Sequence, residues 1–221
     1  MSESKDVRRM KKGGFLMKKR MLTIMLIGMM LSLTACGGKN DTVKDDSLKS
    51  EIAEEIAEEK VEDDIVDATS LLKEVWDSYE DANKFAIMGG DYDTMVSDMP
   101  GKFDVNNTEA LDSLLGYPAD YASNIDDGAS MIHAMNANTF TSGAFHLADG
   151  AQMETVAAAI KDNIMKRQWM CGFPDKLLIV AVSDSYLVSA FGEEANMDYF
   201  KQELLDEFDT AKILYEETIG E

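Results

Sequence analysis

The sequence predicts an α+β domain in which an N-terminal helix precedes an antiparallel ββαββα sheet with its helices on one face. Three observations favour this class. Apolar residues at helical spacing begin near Ile65, two pairs of short apolar runs are each joined by a polar turn, and an amphipathic pattern follows each pair. We expect residues 65–217 to form this single domain, after a leader at 1–35 and an acidic tether at 36–64.

The first helix is predicted from apolar residues three and four positions apart, which mark one face of a helix. The pattern continues to about Ala86, before Gly89 and Gly90 end it. The stripe consists of Ile65, Ala68, Leu72, Val75 and Tyr79.

The next forty residues predict a short helix and a loop rich in acids. "NNTEALDSLLGYP" reads as a helix capped by Thr108 and ended by Pro118. Three aspartates precede it. Their spacing suggests a calcium site, and the alternative is that they are solvated acids of a loop. The EF-hand pattern fails, because methionine occupies the third ligand position and no glycine follows. These aspartates are Asp91, Asp93 and Asp98.

The C-terminal half predicts the two strand pairs. "SMIHAMNANTFTSGAFHL" reads as two strands with a turn at residues 136–138, and "KLLIVAV" and "YLVSAF" form the second pair. A helix capped by Asp149 separates the pairs. The last helix carries Met197, Phe200, Leu204, Phe208 and Ala211 on one side.

Two histidines give the sharpest catalytic hypothesis. A first hairpin centred between residues 139 and 140 would place His133 opposite His146, where the two rings could bind a metal or ligand. A zinc site needs a third protein ligand, and none stands out. The sequence also lacks Gly-x-Ser-x-Gly, a phosphate-binding glycine loop and His-Glu-x-x-His. We therefore predict a non-enzymatic protein, with no catalytic residue, metal or cofactor assigned.

The front of the chain resembles a lipoprotein leader. Lys18, Lys19 and Arg20 precede a 13-residue apolar run at 21–33, too short to span a bilayer and typical of a secretory signal. "LTAC" then ends at Cys36, as in the lipobox of bacterial lipoproteins. The resemblance implies diacylglycerol on the Cys36 sulfur and cleavage after Ala35. The alternative is an anchor helix with an incidental cysteine.

The charge of the chain restricts its partners. The formal net charge is −21, and removing residues 1–35 leaves 13 basic and 40 acidic residues, a charge of −27. Such a chain is not a general nucleic-acid binder, and it does not adhere electrostatically to anionic membranes. Membrane attachment must therefore come from acyl chains on Cys36. The other cysteine, Cys171, cannot form an internal disulfide in the mature chain and is interpreted as a small apolar residue.

The segment from 36 to 64 is predicted to be a solvated tether. "EIAEEIAEEKVEDD" holds 8 acidic residues among 14, so it buries too little apolar surface to offset its ordering entropy.

The layout "GAFHLADGAQMETVAAAIKDNI" followed by "LLIVAVSDSYLVSAFGE", behind a lipobox and an acidic tether, resembles a family. It is similar to uncharacterised lipoproteins of anaerobic Gram-positive bacteria that share a small C-terminal domain of unknown function. Arg167 looks like the arginine on the helix of that family. The resemblance covers roughly residues 115 to 213 and implies no activity.

These observations predict a lipoprotein anchored through Cys36 on the extracytoplasmic face of the cell membrane. We expect a binding module for an envelope protein or a small ligand. Two alternatives remain. One is a solute-capturing component of a transporter, which the single-domain length disfavours. The other is a metal-dependent enzyme built on His133 and His146.

Overall fold

A computed structural model describes residues 64–135, 139–170 and 172–220. These residues form four α-helices, two short 3-10 helices and eight strands. The helices are α1 (Ala68–Ser78), α2 (Thr108–Leu115), α3 (Met153–Met165) and α4 (Glu194–Glu207). The strands are β1 (Ile87–Gly89), β2 (Val96–Ser97), β3 (Gly101–Lys102), β4 (Ile125–His133), β5 (Phe140–Leu147), β6 (Lys176–Val182), β7 (Tyr186–Gly192) and β8 (Lys212–Thr218). The 3-10 helices are Asp81–Asn83 and Ala119–Asn124.

The strands form one antiparallel sheet in the order β2-β1-β4-β5-β7-β6-β8, and β3 also pairs with β4. The hairpins β4–β5 and β6–β7 lie side by side because β5 pairs with β7. The α+β class and the predicted order ββαββα from β4 to α4 are therefore confirmed. The sheet is larger than predicted, with β1–β3 before this unit and β8 after it.

Helices cover both faces of the sheet, so the prediction that they lie on one face was wrong. Successive residues of a strand point to opposite faces. Along β6, Leu177 and Ile179 pack in a cluster with α2 and α3, whereas Leu178 and Val180 pack in a second cluster with α1 and α4. Both clusters are almost fully buried. The sheet is thus the middle of three layers, and each face has a core of its own.

Helix α1 begins and ends at identifiable residues. The Asp67 carboxylate accepts a hydrogen bond from the Ser70 N–H at 2.7 Å, and the Ser70 hydroxyl accepts one from the Asp67 N–H at 3.0 Å. This reciprocal cap satisfies two amides that no helical carbonyl reaches. The helix ends at Ser78, well before the predicted Ala86. Tyr79 adopts extended backbone, and its ring packs 4.9 Å from Trp76 and 4.7 Å from Tyr199.

Two other predicted caps were assigned to the wrong residue. The N-cap of α2 is Asn107, whose side chain accepts from the Ala110 N–H at 3.1 Å, so Thr108 is already helical. The N-cap position of α3 is Gln152, rather than Asp149. Gly116 is the C-cap of helix α2 and has a φ of 68°. A Cβ at this position would lie 2.5 Å from the Ile164 side chain. Glycine is required there on both counts.

Among residues 64–135, 139–170 and 172–220, no helix has the length and apolar character needed to span a membrane.

Candidate functional site

A surface groove lies between α2 and the segment that follows α3. Its volume is about 690 Å³. Helix α2 supplies polar and acidic side chains to one wall, and the segment 167–170 supplies the other. The lining residues are Thr108, Glu109, Asp112, Ser113, Ala119, Arg167, Gln168, Trp169 and Met170.

Arg167 holds the two walls together. Its guanidinium donates to the backbone carbonyl of Ser113 at 3.2 Å and to the backbone carbonyl of Asp112, and it lies 3.3 Å from the Asp112 carboxylate. These carbonyls belong to the last turn of α2, which carries partial negative charge, and the Asp112 carbonyl also accepts the Gly116 N–H at 3.0 Å. Arg167 therefore caps α2, and the cation that the family resemblance singled out has a structural role.

Asn163 of α3 reinforces the same junction. Its side-chain amide donates to the Asp112 carboxylate at 2.8 Å and to the Gly116 carbonyl at 3.0 Å. The acidic end of α2 is thus bound from α3 and from the segment after α3. Both contacts bridge about fifty positions of sequence, so they fix the groove through tertiary structure.

Trp169 forms the apolar floor of the groove. Its ring packs 5.3 Å from Phe191 of β7, and the Arg167 guanidinium lies 5.5 Å above the Trp169 ring. The indole Nε1 is buried and has no hydrogen-bond partner within the described protein. An unpartnered buried donor costs free energy, and this buried atom does not face the solvent of the groove.

An exposed methionine lines the groove, and an exposed phenylalanine follows it three positions along the chain. Met170 is 93% exposed and Phe173 is 64% exposed. Exposed apolar side chains of this size can mark an interaction surface. With Glu109 and Asp112 on the opposite wall, the groove combines an aromatic side chain, an exposed apolar side chain and carboxylates. These groups can bind a ligand or peptide segment by contact and hydrogen bonding.

The two histidines do not oppose each other, so the geometry of the predicted shared site was wrong. His146 is opposite Asp127 of β4, whereas His133 pairs with Ile87 of β1. Asp127 and His133 are six residues apart on β4, a distance of roughly 20 Å at the usual rise of a strand. The hairpin register is therefore shifted from the predicted one.

His133 is buried at the end of β4. Its ring stacks on Phe85, with centroids 4.7 Å apart and planes within 8°. The Nδ1 atom accepts the Met135 N–H at 3.0 Å, so the neutral ring carries its proton on Nε2. Burial lowers the pKa of His133, with the Glu193 carboxylate acting in the opposite direction.

A pH dependence follows from His133. Because its pKa in the folded state is below the unfolded value of about 6.5, the folded protein binds fewer protons near that pH. We expect the free energy of unfolding to fall as the pH drops from about 7.5 to about 5.5. His133→Phe, which can still stack on Phe85, should remove this part of the loss. Urea unfolding across that range measures it, and an unchanged slope in the variant would contradict the assignment.

His146 lies in a more open environment. Its Nδ1 is 2.5 Å from an Asp126 carboxylate oxygen, and its ring contacts Tyr186 at 4.9 Å, edge to face. His146 thus pairs with an acid at the surface. This contact orients the ring without bringing His133 near it.

The aspartates that raised a calcium site also take a structural role. The buried Asp91 carboxylate accepts four hydrogen bonds of 2.9 Å, from the N–H groups of Asp93, Thr94 and Asp104 and from the Thr94 hydroxyl. Burial raises the pKa of Asp91, but these hydrogen bonds outweigh it and hold that pKa below its ordinary value. The interpretation of Asp91 as a solvated loop acid was wrong, whereas Asp93 and Asp98 are exposed.

Within the described ranges, no three His, Cys, Asp or Glu side chains are placed as a set of metal ligands. The predicted lipidation site Cys36 and the second cysteine Cys171 lie outside the described residues, as do the leader and the tether up to residue 63.

Comparison of the chain with protein-family models, curated proteins and solved structures finds no match. The resemblance to lipoproteins of Gram-positive anaerobes stays a prediction. The chemistry of the groove therefore has to be read from its own residues.

The sequence offered one local signal for the groove. "RQWMCGFP" at 167–174 places tryptophan, methionine and phenylalanine in a segment between a helix and a strand, where polar residues are usual. The opposite wall, on α2, could not be inferred because its approach to residue 167 depends on both helices packing on the same face.

Proposed function

We propose that the protein is a lipid-anchored binding module on the extracytoplasmic face of the cell membrane, without catalytic activity. The observation that carries the proposal is "LTAC" ending at Cys36, directly behind a basic segment and a 13-residue apolar run. A thiol at this position is what acylation requires. With a charge of −27 on the chain from Cys36 onward, the acyl chains supply the membrane affinity.

The groove beside Trp169 supports the binding role. Its aromatic floor and the exposed Met170 and Phe173 favour contact with an envelope protein or a small ligand. The titratable groups of the groove favour binding over catalysis. Arg167 and Asp112 are bound to each other, and both support the end of α2. We assign no metal or cofactor to the groove.

Metabolic labelling tests the anchor. Cells that express the full-length chain are grown with an alkyne-tagged fatty acid, and the purified protein is assayed for label and for membrane retention. We expect label in the wild type and none in Cys36→Ala, because no other residue would carry lipid. Cys171→Ala is the matched control, since it removes the other thiol and should keep full labelling. Equal labelling of Cys36→Ala and the wild type would overturn the proposal.

A further inference from the structure

Strand β8 forms an open edge of the sheet. It is the last strand in the sheet order and pairs only with β6 among the described residues. The strand spans Lys212–Thr218, long enough to accept another strand, and its side chains are exposed or half-buried. An edge of this kind presents backbone donors and acceptors on which an extended peptide can assemble.

The register of β8 identifies which backbone groups face outward. The Ile219 N–H donates to the Asp175 carbonyl at 2.8 Å, which directs the Ile219 amide toward β6. Amides alternate between the two sides of an antiparallel strand. The amide of Glu217 therefore also faces β6, whereas the N–H and C=O groups of Glu216 and Thr218 face away from the sheet.

Acidic side chains flank these outward groups. Glu216 points to the α4 face, where Lys201 contacts it at 2.5 Å. Glu217 is opposite Leu177, which places it on the face covered by α3, and it is half-buried. Two further lysines lie nearby. Lys212 begins the strand, and Lys161 of α3 lies 5.0 Å above the Tyr215 ring.

Charge argues against a second copy of the chain as the occupant. An antiparallel register that uses both outward amides pairs Glu216 with Thr218 of the other copy, and it then sets Glu217 opposite its own counterpart. Like charges directly opposite each other destabilise a strand pair. Two chains that each carry an excess of acid also repel each other. A strand with Lys or Arg opposite Glu216 and Glu217 places opposite charges across the pair, and a basic segment is not repelled by the acidic chain.

We propose that β8 captures an extended basic segment of a partner protein as an additional antiparallel strand. The outward N–H and C=O groups of Glu216 and Thr218 bind its backbone, and the two glutamates select its basic side chains. This surface is separate from the groove beside Trp169 and does not depend on lipid at Cys36.

A proline scan of the outward amides tests the proposal. The probe is a fluorescent heptapeptide of alternating Lys and Val, titrated against the full-length chain in detergent micelles. Thr218→Pro removes an outward N–H without touching the β6 ladder, and Thr218→Val is the matched control that keeps it. We expect Thr218→Pro to weaken binding about tenfold relative to Thr218→Val, and a peptide with central proline to bind as weakly.

Hydrogen exchange on the wild type gives a second readout that no folding defect can obscure. Peptide binding should slow exchange at the Glu216 and Thr218 amides, while the Glu217 amide, already bonded to β6, should change little. Equal binding of both peptides without this protection would show charge attraction alone and overturn the proposal. Self-association through β8 in sedimentation would overturn it as well. Either failure would leave fatty-acid labelling at Cys36 unaffected, so the two proposals are tested separately.

Discussion

Leu178→Ala and Ile179→Ala should each lower the free energy of unfolding by about 2–5 kcal/mol. The two residues are neighbours on β6, and both are at most 2% exposed. Leu178 packs with α1 and α4, whereas Ile179 packs with α2 and α3. Because each face has its own core, both truncations remove buried apolar surface and leave a cavity. Urea denaturation of the two variants measures the loss.

A matched control comes from the edge of the same sheet. Ile213 of β8 is 42% exposed, so Ile213→Ala should cost no more than about 0.5 kcal/mol. A sheet with helices on one face would behave differently, since one of the two β6 variants would then resemble Ile213→Ala. Such a pair of unequal results would contradict the three-layer architecture.

Arg167→Met should destabilise the protein by about 1.5–3 kcal/mol and loosen the groove. Methionine keeps much of the apolar stem but provides no donors for the Asp112 and Ser113 carbonyls. Most of the loss comes from these carbonyls, because the Asp112 side chain is 46% exposed and the ion pair adds little. Urea unfolding gives the stability, and Trp169 fluorescence in a Trp76→Phe background should shift to the red.

Lys166→Met is the control for that prediction. Lys166 is the neighbouring cation, it is 76% exposed, and it pairs with Asp162 one turn earlier in the chain. An exposed pair of this kind contributes about 0.3–0.5 kcal/mol. Equal losses for the two variants would mean that Arg167 acts only through charge and does not cap α2.

The order of elements from β4 to α4 could be predicted because each has a periodic apolar pattern. The sequence also indicated that both faces of the sheet are covered. "KLLIVAV" has no polar residue on either side after Lys176, which is typical of a strand buried on both faces. In the structure Ala144 and Phe145, neighbours on β5, are both fully buried, on opposite faces of the sheet.

The register of β4 against β5 could not be predicted from the turn. The predicted pairing was centred between residues 139 and 140, three residues later than the centre of the observed pairing of Ile132 with Thr141. The predicted turn at 136–138 lies outside the described residues. The ladder also shifts register between Ile125 and Asp127. Polar residues indicate where a chain reverses but not how many of them form the loop. A shift of one residue in the pairing of two strands changes every cross-strand pair. The hypothesis of a site shared by His133 and His146 failed for this reason.

The short strands gave no periodic signal. Strands β2 and β3 contain two residues each and β1 contains three, so alternation has no length over which to appear. Strand β8 reads as "KILYEET", in which charged residues and a bulge interrupt the apolar alternation, and among the described residues it pairs only with β6. The groove escaped prediction for a related reason, because Arg167 and Asp112 are 55 positions apart and only the packing of α2 and α3 brings them together.

The most direct test of the proposed function is mass spectrometry of the mature protein isolated from its own membranes. We expect the chain to begin at Cys36 and this residue to carry a diacylglycerol thioether, with residues 1–35 removed. A chain that contains residue 36 as an internal cysteine with a free thiol would contradict the lipid anchor and the extracytoplasmic location with it.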